Sequence, residues 1–201
     1  MQNNLFSRKN LEDTLKNYQI PGIENKIEVL QKWVREIKNG GILWKTESEC
    51  EQAFNQDIFQ NVLDYTKYPE LQYTIEPKWS TVMTAQKADA ILWYFSAKQQ
   101  MDNANHVQAV VEIKDANTSL DAPQKREWHL SPVQQWFKYK PQYEKCVWVI
   151  VTNFKEIRLY KDNQITGQSR NLVDLVNPEK DYLNLKFFYY ILNAKNFLAI
   201  P

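Results

Sequence analysis

Asp89 opens one apolar segment, "ADAILWYF" (88–95), and Glu112-Ile113-Lys114 closes the next, "HVQAVVEIK" (106–114), with the polar stretch "SAKQQMDNAN" between them. Side chains two apart on a strand share a face, so Glu112 and Lys114 project to one side and Ile113 to the other. Paired as an antiparallel hairpin whose turn centres near residue 101, the two segments bring Asp89 opposite the Glu112 to Lys114 stretch. Two carboxylates at close range repel one another, and burial sharpens the repulsion unless a cation intervenes. Mg²⁺ suits such a place, because it takes oxygen ligands from one or two carboxylates, water and substrate phosphate. The adjacent ammonium can hold an attacking water and balance charge on a phosphoryl group. The chemistry implied is metal-assisted phosphodiester hydrolysis. An E-x-K at a strand end is commonplace by itself, and the hairpin-related aspartate is what lifts it above an ordinary solvated terminus.

The elements that must position these groups are legible in outline. Residues 8–18 have a polar helical pattern, broken by Pro21-Gly22. Ile23, Ile27, Leu30, Val34 and Ile37 mark the apolar face of a helix ending near Gly40-Gly41, where packing on the core is favoured over a partner-binding seam. Thr46 and Glu49 have the form of a capping box, and Phe54, Ile58, Val62 and Leu63 form the apolar face of a helix over about 47–64. "LQYTIE" (71–76) reads as a strand, followed by the two hairpin segments. Ser131-Pro132 starts a helix that runs to about Pro141. "KCVWVIVTN" and "EIRLY" read as strands joined by a turn at Asn153-Phe154, and the tail from Tyr182 as a closing apolar helix. The expected fold class is α/β, a central mixed β-sheet flanked by helices.

With 201 residues and 43% apolar composition, the chain can build one substantial core. A net charge of +1 excludes a strongly basic nucleic-acid footprint, so such binding must come from local patches. Cys50 and Cys146 fit neither a disulfide framework nor a zinc spacing and are expected reduced and packed. His106 and His129 lack metal-ligand spacing, and no nucleophile elbow accompanies them. Nothing resembles a signal peptide or membrane span, so the expectation is a cytoplasmic protein with no membrane partner.

Ala88-Asp89, 22 intervening residues and Glu112-Ile113-Lys114, set in a helix, three strands, helix, strand order, resemble the PD-(D/E)XK nuclease motif. "VVEIKDANTSLD", Gln135-x-x-x-Tyr139 within "SPVQQWFKY", and "VWVIVTNFKEIRLY" narrow the likeness. Together they resemble the N-terminal endonuclease domain of type IIG restriction-modification enzymes, related to the nuclease subunits of type I systems. The likeness implies a restriction-endonuclease-like core over 46–165, an N-terminal helical extension over 1–45 and a C-terminal helical segment over 166–201 that packs on the core. It implies a metal-dependent site-specific deoxyribonuclease: Asp89 and Glu112 as metal ligands, Lys114 as catalytic lysine, and Mg²⁺ as cofactor with Mn²⁺ able to substitute. Glu51 is expected to complete the site from the preceding helix. Glu47, four residues earlier on the same face, cannot be separated from it by spacing. Gln135 and Tyr139, also on one helix face, are expected to border the site and the DNA backbone.

The sequence departs from that family in having Ala88 where proline usually precedes the aspartate. It also lacks a glycine-rich cofactor loop followed by an "NPPY"-type motif. A methyltransferase and target-recognition region is therefore expected in a longer chain or a separate subunit, unless the chain is a stand-alone relative. Double-stranded DNA is the expected partner, with transient pairing of two copies on it to cut both strands. Two rivals stand beside this reading. One is a catalytically inactive, nuclease-like module that binds DNA or protein. The other is a carboxylate-pair glycoside hydrolase using Asp89 and Glu112, which leaves Lys114 without a task.

Overall fold

The computed structural model describes residues 3–80, 87–96, 106–125, 129–143 and 145–199, with Asn3, Arg8, Trp79, Ser80, Lys87, Tyr139 and Gln142 described by their backbone alone. In chain order its helices are α1 (Arg8–Leu15), α2 (Ile23–Lys38), α3 (Glu47–Phe54), α4 (Pro132–Tyr139), α5 (Leu172–Leu175), α6 (Glu179–Leu192) and α7 (Ala194–Phe197). The strands are β1 (Asn3–Asn4), β2 (Gln72–Ser80), β3 (Lys87–Ser96), β4 (Ala109–Ile113), β5 (Trp148–Thr152), β6 (Glu156–Lys161) and β7 (Thr166–Asn171). They form one sheet in the order β1-β7-β6-β5-β4-β3-β2, in which β1 contributes only two residues at one edge. The β4–β5 and β1–β7 pairs are parallel and the others antiparallel, so the chain is an α/β protein with a mixed sheet flanked by helices.

The centre of the sheet follows from composition. Every residue of β4 ("AVVEI") and β5 ("WVIVT") is buried, the pattern of strands covered on both faces. Parallel neighbours need a crossover, and α4 lies in the β4-to-β5 connection. Ser131 caps α4, its Oγ accepting from Gln134 N at 3.2 Å, with Pro132 in the first turn. On one face Ala109, Val111 and Ile113 of β4 join a core with Leu30 of α2, Phe54 of α3 and Leu185 of α6. On the other, Val110 joins Val133 and Trp136 of α4. Glu112, two residues beyond Val110, therefore ends the α4-facing row.

Several elements differ from the sequence expectation. The helix expected over 47–64 is α-helical only to Phe54 and continues as a π-helical segment, Asn55–Val62, closed by Leu63 N donating to Ile58 O at 3.0 Å. The buried Lys26 ammonium caps its end, donating to Asn61 O at 3.3 Å and Val62 O at 2.9 Å. The closing helix is split at Asn193, whose extended backbone separates α6 from α7. Strand β7, "TGQSRN", has no apolar alternation to announce it. It forms because Asn163 Oδ1 accepts from Ile165 N at 2.9 Å and Thr166 N at 2.8 Å, turning the chain back along β6. Cys50 and Cys146 are free and buried, and among the described residues no helix is long and apolar enough to cross a membrane.

The connection after β4 is tied to the sheet by Arg158 of β6, whose Nη1 and Nη2 donate to Asp121 Oδ1 and Oδ2 at 2.6 and 2.9 Å. The same guanidinium donates through Nε and Nη2 to Glu156, both at 2.9 Å. The hydrogen bonds from Arg158 hold the Asp121 carboxyl below its usual range. A depressed carboxylate stabilises the fold above its unfolded value, near 4, and the contribution disappears as pH falls through the folded value. Asp121 is largely exposed, so Asp121→Asn should cost only about 0.5–1 kcal/mol at pH 7. In urea denaturation the gap between variant and parent should narrow as pH falls from 7 and close as the aspartate is protonated in the folded state.

Candidate active site

The β3–β4 register, Ala90↔Val111 and Ile91↔Val110, is that of the expected hairpin. Beyond the last paired residues, Asp89 Oδ2 accepts from the backbone N of Ile113 at 2.7 Å, so the aspartate side chain closes the ladder where β4 ends. Glu112 is buried, Lys114 is partly buried, and their carboxylate and ammonium form an ion pair. The Lys114 backbone stays anchored by donating from its N to Thr152 O of β5 at 2.8 Å.

Helix α3 supplies the remaining acids. Its start is fixed by the capping box, in which Glu49 Oε2 accepts from Thr46 N at 2.8 Å. Its end is fixed by Phe54, fully buried, whose ring lies 5.2 Å edge-on from Trp33 and 5.2 Å from Phe154. Trp33 also donates from Nε1 to Asp57 Oδ2 at 2.9 Å, holding α2 against the π-helical continuation. Glu51, one turn before Phe54, is thereby carried to the sheet end and is itself buried.

The link between helix and hairpin is Lys78 of β2, to which the sequence reading gave no role. Its Nζ lies 2.7 Å from Glu51 Oε2 and 2.7 Å from Asp89 Oδ1, bridging the two carboxylates. The sequence pattern ends that strand at Glu76, just before Pro77, a residue that cannot donate to a ladder. Here β2 is the outer strand, where proline is tolerated, and it runs on to Ser80 with Pro77↔Ala90 and Trp79↔Ala88 flanking Lys78. Lys78 has φ +54, a left-handed conformation uncommon for a side-chain-bearing residue in a strand.

Burial is the largest influence on the Glu112 carboxyl and pushes it up, Lys114 counters, Asp89 adds to the rise, and the net value is about 8. Glu47 is also raised, first by burial and then by Asp89 and Glu51 against the pull of Lys114 and Lys78. Burial opposes the charged form of Lys78, but hydrogen bonds to Asp89 and Glu51 outweigh it and raise the ammonium. Lys114 is likewise raised by Glu112 in spite of burial.

The structure thus brings Asp89, Glu112, Lys114 and Glu51 together, with Glu47 within their field. Gln135 is buried on α4, its Oε1 accepting from Gln124 Nε2 at 3.2 Å. The Tyr139 side chain lies outside the described residues. Asn153 stabilises its turn, donating from Nδ2 to Thr118 O at 2.9 Å and accepting through Oδ1 from Glu156 N at 3.2 Å.

Four carboxylates face two ammoniums, an excess of two negative charges when all are ionised. These oxygen donors are of the kind Mg²⁺ takes, and the excess equals its charge. Among the described residues no three His, Cys, Asp or Glu side chains are gathered as a metal-binding group. Lys78 is paired with Glu51 and Asp89, and Lys114 with Glu112. Compared with protein-family models, characterised proteins and solved structures, the chain matches none.

Lys78→Met leaves the buried Glu51 and Asp89 without their shared cation. At pH 7 without divalent metal it should lower unfolding free energy by about 1–3 kcal/mol in urea denaturation. Much of that loss should vanish in an Asp89→Asn background, because the double-mutant cycle removes the charge that Lys78 offsets.

Proposed function

We propose that this chain is a Mg²⁺-dependent DNA endonuclease domain of the PD-(D/E)XK kind on a restriction-endonuclease-like core, the cleavage portion of a cytoplasmic, type IIG-like restriction-modification system. The observation that carries the reading is the meeting of Asp89, Glu112 and Lys114 at one end of the β3–β4 hairpin, with Glu51 brought alongside through Lys78. Order and spacing of the motifs add to it, including Gln135 and Tyr139 on α4. Target recognition and methylation then belong to a partner region of a longer chain or to another subunit, and two copies meet transiently on duplex DNA.

In this reading Asp89 and Glu112 would hold the ion, with Glu51 or Glu47 supporting. The bound ion supplies Lewis-acid stabilisation of charge on the phosphoryl oxygens. Lys114 holds and orients the attacking water from beside Glu112 and balances charge developing on the phosphate. The backbone N–H of Ile113 fixes one oxygen of Asp89, so the carboxylate is oriented before substrate arrives. The Lys78 ammonium, half exposed, can turn from the carboxylates toward a phosphate once their charge is met by another cation.

A second reading, an inactive nuclease-like module that binds DNA or protein, draws on the same ion pairs: with Lys78 and Lys114 seated on the acids, the cluster is already neutralised in part. Supercoiled plasmid at low salt separates the two. The nuclease reading expects nicking with Mg²⁺ or Mn²⁺, none with chelator, and at least about a 100-fold rate loss in Lys114→Ala and in Asp89→Ala with the fold retained by circular dichroism. DNA binding that is indifferent to metal, with no nicking in any cation, establishes the binding module instead. Full activity in Asp89→Ala sinks the catalytic assignment.

A further inference from the structure

Lys78 stands across the β2–β3 ladder from Asp89, between the Pro77↔Ala90 and Trp79↔Ala88 pairs, and a cross-strand ion pair at such a position is ordinary. Its second partner is not. The same Nζ lies 2.7 Å from Asp89 Oδ1 and 2.7 Å from Glu51 Oε2, so one ammonium serves carboxylates from a strand and a helix. Its left-handed backbone, φ +54, is a local cost that a simple cross-strand pair does not require. Exposure divides the three groups unevenly: the Lys78 side chain is 50% exposed, those of Glu51 and Asp89 only 11% and 10%. The counter-ion of two nearly buried acids is therefore in contact with solvent and can be exchanged from it.

Charge and the engaged oxygens indicate what would replace it. With both acids ionised, one ammonium leaves one of their two negative charges unmatched, whereas a divalent cation matches both. Asp89 Oδ2 already accepts from the backbone N of Ile113, so the oxygen left for a new ligand is Oδ1, the one Lys78 holds. A cation taken by Oδ1 and Glu51 Oε2 would lie against Nζ, and like charges in contact repel strongly where water is scarce. The two cannot share the site. The half-exposed Lys78 stem is free to withdraw into water, while the acids are held by their helix and strand.

We propose that Lys78 is a built-in counter-ion that competes with a divalent cation for Glu51 and Asp89, and thereby sets the concentration at which the cation binds. The inference deepens the nuclease reading and rests on it for the choice of a divalent cation as competitor. In the metal-free protein Lys78 suppresses the repulsion between the two acids and keeps them together. Binding of the cation gives up those ion pairs, so affinity in the parent is lower than the acids alone would provide. The coupling is reciprocal: removing Lys78 strengthens the cation's hold, and a bound cation makes Lys78 dispensable for stability.

Calorimetric titration of the full chain with Mn²⁺, in the absence of DNA, tests the competition. Lys78→Met and Lys78→Gln should each bind Mn²⁺ at least about tenfold more tightly than the parent. Lys45→Met is the control for bulk charge: it removes a lysine paired with the exposed Glu49, and should change the affinity less than about twofold. Asp89→Asn in the Lys78→Met background should abolish the gain. In urea, the midpoint gap between Lys78→Met and the parent should narrow as Mn²⁺ is added, a response that a merely structural lysine would not give. Affinity no higher than the parent's in both Lys78 variants, folded by circular dichroism, overturns the proposal. An equal gain in Lys45→Met overturns it too, as does absence of Mn²⁺ binding in every protein. Plasmid nicking is scored separately. Nicking by the parent with no gain in the variants removes the competition and leaves the nuclease, whereas a gain without nicking removes the nuclease and leaves the competition.

Discussion

Charge balance at the end of an otherwise apolar sheet is the constraint on which this molecule is built. β4 and β5 are buried on both faces, yet the α4-facing row of β4 ends in Glu112, and Asp89 lies beside it on β3. A buried carboxylate is sustained only by hydrogen bonds and opposite charge. Each acid meets that condition differently. Asp89 takes a backbone N–H and an ammonium, Glu112 takes Lys114, and Glu51 shares Lys78 with Asp89. Since Lys78, Glu51 and Asp89 come from β2, α3 and β3, the ion pairs also fix helix, outer strand and hairpin to one another.

The helix would not reach those partners without apolar anchoring from the far side of the sheet. The β5–β6 turn carries Phe154 in a left-handed conformation, φ +65, fully buried. Thr152 Oγ1 accepts from Phe154 N at 3.2 Å and donates to Glu156 O at 2.8 Å, so the turn is rigid. Phe154 then packs on Phe54 and stacks against Trp33 at 6.1 Å. That aromatic group unites β5, β6, α2 and α3, and Glu51 stands one turn from its centre.

Legibility in the sequence divides along the same physical line. Apolar periodicity marked α2, the hairpin segments, β5 and β6, because burial writes itself into residue type at fixed spacing. The hairpin register followed from the strand ends, and with it the pairing of Asp89 with Glu112 and Lys114. Backbone-driven features were invisible. β7 is polar and pairs through its main chain at the sheet edge, and the two-residue β1 leaves no pattern at all. Lys78 was hidden because proline before it reads as the end of a strand, a rule that fails on an outer strand. Glu47 and Glu51 could not be ranked by spacing, and tertiary structure separates them by contact: Glu51 is bonded to Lys78, whereas Glu47 is reached through its neighbours' fields.

Several features that local rules disfavour lie near the carboxylate cluster, although others, such as the left-handed Phe154, lie elsewhere. Lys78 with its left-handed backbone, the change from α-helix to π-helix at Asn55, the unpaired Asn55 amide and the raised Glu112 carboxyl all adjoin one end of the sheet. Each carries a cost in stability, and a sequence selected for folding alone would replace them with apolar or uncharged residues. The fully buried β5 follows those rules, whereas the aromatic group around Phe54 contains the left-handed Phe154. A left-handed strand residue and a raised buried carboxyl beside a carboxylate cluster are the kind of local cost that is kept where binding or chemistry needs it. That argument does not depend on which reaction takes place there.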